Sequence, residues 1–83
     1  MDIKALRHAI DEIDNEIIAL LEKRYTLAKA IAAEKQKTAS PLIDEAREAE
    51  IIGKAAATLG KEDAETVFSA IFSVSHRRQK EKL

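Results

Sequence analysis

Five polar side chains stand where a helical pattern asks for apolar ones. Arg24 interrupts the series Ile3, Leu6, Ile10, Ile13, Ile17, Leu20, Leu27 and Ile31, which steps by threes and fours. Lys35 follows Arg24 by eleven residues, about three helical turns, so the two point the same way. Glu48 opens a second stripe continued by Ile52, Ala55 and Leu59, with Ile51 beside it. Ser75 and Gln79 extend a third stripe begun by Val67, Phe68, Ile71 and Phe72. A polar residue at a core position is a fault unless it does something. Buried charges need partners, and cations outnumber the obvious carboxylates on these faces. A pocket for a small anion resolves the mismatch.

Each residue has a plainer reading. Arg24 can pair with Glu34 of a facing helix as a buried ion pair that fixes register. Lys35 can be one more solvated lysine beside Lys37. Glu48 can make a surface pair or a first-turn dipole contact. Ser75 and Gln79 can lie on a helix surface. The joint pattern is what favours a pocket. His8, His76 and the H-R-R run read as ordinary surface residues.

Three helices must position these side chains. From Asp2 to about Gln36 there is no Gly and no Pro, and good helix formers dominate. The apolar series there is the a/d seam of a long helix. Thr38, Ser40 and Pro41 mark a loop. Asp44 is the expected N-cap of a second helix reaching about Leu59, with Gly60 ending it. Asp63 is the expected N-cap of a third helix reaching about Lys80.

Composition narrows the classes. The 83 residues make one domain, 1–83. Few aromatics, two Gly and one Pro disfavour sandwiches and barrels. Without cysteine there is no disulfide framework, thiol nucleophile or Cys-ligated zinc, and two histidines make no convincing metal site. A net charge of -1 is no nucleic-acid footprint. The opening M-D-I-K, with no long apolar run after it, predicts no signal peptide and no membrane span, hence a cytoplasmic protein.

A first helix of this length is a rod of roughly 50 Å, while a compact chain of this size is only roughly 30 Å across. The two shorter helices cannot sheath it, so its seam is expected to pair with a second copy. Arg7 lies beside the seam, on the same heptad position as Lys35, and is 17 residues, roughly 25 Å, from Arg24. Both cannot reach one small molecule within a chain. They can in an antiparallel dimer whose first helices cross near Ile17–Ile18, the middle of the seam.

The chain resembles the all-helical AroQ class of chorismate mutases over essentially its whole length. The resemblance is carried by A-L-R-H-A-I-D-E-I-D-N-E-I-I-A-L-L-E-K-R at 5–24, by Lys35, by D-E-A-R-E at 44–48, and by Ser75 with Gln79. It implies an all-α fold with one long and two shorter helices, intertwined as an antiparallel homodimer with shared active sites. It implies conversion of chorismate to prephenate, on the route to phenylalanine and tyrosine. By position, Arg7 would come from the partner chain, and Arg24, Lys35, Asp44, Arg47, Glu48, Ser75 and Gln79 from the same chain. Arg24, Lys35, Glu48 and Gln79 would be catalytic. Asp44 and Arg47 rest on the resemblance alone.

The residue types suit that reaction. It is a pericyclic shift within one molecule that needs no nucleophile, metal or cofactor. What helps is holding the compact conformer and placing donors where charge grows on the breaking ether oxygen. Arg7 and Arg24 would clamp carboxylates. Lys35 would bind a carboxylate and lean toward the ether oxygen, with Gln79 donating from the other side. Glu48 would accept from the ring hydroxyl, Asp44 would place the helix start nearby, and Ser75 would donate to the ring carboxylate. Arg47 could support the carboxylates or Glu48. Two alternatives are an isochorismate pyruvate-lyase, which resembles the chain less at D-E-A-R-E, and a non-catalytic dimerisation module with a dry seam and an ion-paired Arg24.

Overall fold

The computed structural model describes residues 2–81. It contains three helices in the order α1 (Ile3–Thr38), α2 (Glu45–Leu59) and α3 (Lys61–Glu81), with no strand among the described residues. The protein is all-α, with one long helix and two shorter ones.

Capping chemistry sets the boundaries. Asp2 caps α1, its side chain accepting from the Ala5 N–H at 2.7 Å. The helix runs two residues beyond Gln36. It stops at Ala39, which takes the left-handed conformation (φ 55°, ψ 32°), and the Ser40 N–H closes back on the Lys35 carbonyl at 3.0 Å. Asp44 caps α2 as expected, accepting from the Arg47 N–H at 3.0 Å.

The start of α3 differs from the sequence expectation. Asp63 is not its N-cap but lies in its first turn, beside Glu62. Gly60 takes over the junction. Its N–H donates to the Ala56 carbonyl at 2.9 Å, ending α2, and its own carbonyl accepts from the Ala64 N–H at 3.0 Å, starting α3. One residue serves both helices because glycine can hold φ 90°, ψ 155°. Asp63 then contributes as first-turn negative charge favourable to the helix dipole.

Helix α3 packs against both α1 and α2, and α2 makes no close backbone approach to α1. Only the second half of α1 takes part, through Tyr25, Ala28 and Ala32, all buried; the alanines let the helices approach closely. Ala64 and Phe72 complete the buried apolar set among the described residues, with Phe68 stacked at a tilt on Phe72 (centroids 5.9 Å apart). Leu59 and Val67, assigned to apolar stripes from the sequence, are about half exposed in the single chain.

The first half of α1 projects as a bare rod. The molecule extends 54 Å along its longest axis, with a radius of gyration of 15.8 Å, against about 12 Å for a compact chain of this length. The seam residues Ile3, Leu6, Ile10, Ile13, Ile17, Leu20, Leu27 and Ile31 are 43–65% exposed.

The two glycines should respond oppositely to alanine. A Cβ meets nothing within 4 Å at either site, so only the backbone decides. Gly60→Ala forces a side chain into a conformation reserved for glycine and should cost about 1–3 kcal/mol. Gly53→Ala, inside α2, should stabilise by about 0.5–1 kcal/mol. Urea unfolding of both variants checks the pair of signs.

Candidate functional site

A groove opens where α3 leaves room between the second half of α1 and the start of α2. Its apolar floor is formed by Leu27, Ala28, Ile31, Leu42, Ile51 and Phe72. Its polar groups are Arg24 and Lys35 from α1, Asp44, Arg47 and Glu48 from the start of α2, and Ser75, His76 and Gln79 from α3. All seven residues expected to come from one chain therefore line one groove. Helical spacing explains the convergence: Arg24, Ala28, Ile31 and Lys35 share a face of α1, and Phe72, Ser75, His76 and Gln79 share a face of α3.

Several of these polar groups are held by a single internal bond. The Arg24 guanidinium donates to Ser75 Oγ at 3.1 Å and sits over the Phe72 ring, 5.4 Å from its centroid. Ser75 is buried and accepts through its hydroxyl oxygen, which leaves its O–H free to donate elsewhere. Gln79 is also buried, and its amide nitrogen donates to the Ala28 carbonyl at 2.9 Å, using one of two N–H groups. The Lys35 ammonium donates to the Leu42 carbonyl at 3.1 Å, which pins the α1–α2 loop and uses one of three protons.

The charges do not cancel in pairs. Three cations line the groove against two carboxylates. Asp44 is engaged in capping α2, and Glu48 faces His76, with Nε2 2.5 Å from Oε2. Among the described residues neither Arg24, Lys35 nor Arg47 has a carboxylate within 4 Å. Glu34, the alternative partner for Arg24, pairs with Lys37 on its own helix at 3.2 Å. A groove with an apolar floor and unpaired cationic donors suits a small organic anion.

Arg7 is the exception. It lies on the exposed rod of α1, near Asp2, Ile3 and Asp11, far from the groove. Within one chain the structure does not bring it to the other seven.

The sequence reading missed His76, which it left among ordinary surface residues. The half-buried ring lines the groove and meets Glu48 from the opposite helix. Its signal was present in the spacing, four residues after Phe72 and three before Gln79, on the face that already carried the candidates. The neighbouring Arg78 turns elsewhere, stacking 4.6 Å from the centroid of Tyr25 and pairing with Glu22 at 3.3 Å.

Among known families, the one described as Chorismate mutase type II matches residues 6–80 of the chain. No curated protein and no solved structure matches the chain. No helix among the described residues is long and apolar enough to cross a membrane.

Proposed function

The chain belongs to the chorismate mutase type II family, and from that premise we propose that the groove is half of an active site which a second copy completes. The activity itself follows from the family: the protein is an isomerase that converts chorismate to prephenate in aromatic amino-acid biosynthesis. We assign it to the cytoplasm, the default compartment for an enzyme of small-molecule biosynthesis.

The observation that carries the site assignment is the set of cationic heads without carboxylate partners around an apolar floor. Chorismate supplies two carboxylates to such a set. In this reading Arg24 binds one carboxylate with the donors left over from Ser75, and the Ser75 O–H donates to the ring carboxylate. Lys35 binds a carboxylate and directs a remaining proton to the ether oxygen. The second N–H of Gln79 reaches the ether oxygen from the other side. Glu48 accepts from the ring hydroxyl, Asp44 holds the start of α2 in place, and Arg47 supports the carboxylates.

Catalysis then needs no proton transfer. One carbon–oxygen bond breaks as one carbon–carbon bond forms within the same molecule. Confinement between charged clamps selects the compact conformer. Donors fixed before the reaction stabilise the negative charge that grows on the ether oxygen. The internal bonds of Arg24, Lys35, Ser75 and Gln79 are what fix them.

The partner copy supplies Arg7 in this reading. The bare seam of α1 gives the second chain its place, and an antiparallel crossing near Ile17–Ile18 sets Arg7 of one chain beside Arg24 and Lys35 of the other. Such a dimer also covers an apolar surface too continuous for a stable monomer to expose.

Complementation tests the shared site. Arg24→Ala and Arg7→Ala homodimers should each lose on the order of 2–5 kcal/mol of transition-state stabilisation and be nearly inactive. Mixed and allowed to exchange subunits, they should regain activity, because one site of each heterodimer then carries neither substitution. Exchange verified by mass spectrometry, with no activity regained, would show that Arg7 does not act across the interface.

Gln79→Glu tests the donor to the ether oxygen. A carboxylate there repels the growing charge and also faces the Ala28 carbonyl, so burial beside these groups should raise its pKa. At neutral pH kcat/KM should fall by roughly 10²–10³, then recover as falling pH protonates the new carboxyl. A pH–rate profile unchanged from wild type would remove Gln79 from the reacting atoms.

A further inference from the structure

Glu48 is not free to move in the groove. Its Oε2 lies 2.5 Å from His76 Nε2, a bond that crosses from α2 to α3, and the two side chains are 26% and 24% exposed. Among the described residues its other oxygen, Oε1, has no hydrogen-bond partner. His76 also shares the groove-facing side of α3 with Ser75 and Gln79.

We propose that His76 is the positioning residue that makes Glu48 a selective acceptor for the substrate's ring hydroxyl; this rests on the reading of Glu48 as that acceptor. A glutamate side chain has three rotatable bonds, and this one stands in a groove rimmed by Arg24, Lys35 and Arg47. Unrestrained, its carboxylate would swing toward one of those cations. That movement would remove the acceptor and neutralise a charge the substrate's carboxylates need. The imidazole prevents both losses. An ionised carboxylate only accepts, so Nε2 must carry a proton, whether the ring is neutral or cationic. The pinned oxygen fixes the plane of the carboxylate. Oε1 of this groove-lining residue is left unbonded, able to accept from a hydroxyl and to repel a carboxylate delivered in the wrong orientation.

A bond between α2 and α3 could equally serve only to join two helices, and substrate chemistry separates the two roles. The experiment measures kcat and KM for the wild type, Glu48→Ala, His76→Leu and His76→Gln on chorismate and on an analogue lacking the ring hydroxyl, with thermal unfolding recorded for each. His76→Leu should raise KM for chorismate about tenfold, the scale of one charge-assisted hydrogen bond, with kcat less affected. On the analogue that penalty should vanish. His76→Gln keeps an N–H on a side chain of similar reach and should restore most of the loss. If His76→Leu unfolds too readily for kinetics, His76→Asn, whose amide is too short to reach Glu48, carries the same comparison. A His76 penalty equal on both substrates, beside a Glu48→Ala penalty that depends on the hydroxyl, would overturn the proposal and leave His76 as a strut. A Glu48→Ala penalty equal on both substrates would instead overturn the reading of Glu48 from which it starts.

Discussion

A helix of 36 residues carries an apolar seam that its own chain leaves uncovered, and the rest of the molecule is arranged around that fact. Helix α3 covers only the second half of α1, and α2 covers only α3. The buried apolar set is small, and its members on α1, Tyr25, Ala28 and Ala32, are confined to that half of the rod. Full burial of a Val, Leu or Ile side chain contributes roughly 1.5–3 kcal/mol, so covering the half-exposed isoleucines and leucines of the seam offers stabilisation that the chain does not gain alone. The proposed dimer uses it, and in doing so brings the cation at one end of the rod to the groove at the other.

The groove shows how a small helical protein can hold several cations together without losing them to one another or to carboxylates. The carboxylates nearest these cations each hold a bond elsewhere: Asp44 to the Arg47 N–H at the start of α2, Glu48 to His76, Glu34 to Lys37. Most of the donors have one fixed bond to a neutral acceptor, Ser75 Oγ for Arg24, the Leu42 carbonyl for Lys35 and the Ala28 carbonyl for Gln79. Such bonds orient a head group without neutralising it. The remaining hydrogen-bonding capacity is then available to a ligand, and little reorganisation is needed when it arrives.

Much of this was legible in the sequence because helical periodicity is strict. Arg24 and Lys35, like Ser75 and Gln79, are related by nearly whole turns, so each pair shares one face of its helix once the helices are recognised. Asp44 announced the start of α2 because a side-chain cap is local chemistry. The start of α3 was misjudged because the junction runs through the backbone of Gly60, whose carbonyl replaces a side-chain cap, and Asp63 merely resembled one. His76 escaped because its meaning depends on Glu48, 28 residues earlier on another helix. Pairing between helices is tertiary information that the periodicity of either helix alone does not contain. Arg7 shows the other limit: its distance from the groove is plain in sequence and structure alike, and the role proposed for it needs a second chain.

The most direct measurement follows mass and activity on the same diluted samples. Sedimentation velocity gives the dimer fraction as concentration falls, and initial rates give the specific activity. A site completed by a second copy predicts that specific activity falls in proportion to the dimer fraction and returns on reconcentration. A folded monomer with full specific activity would contradict it.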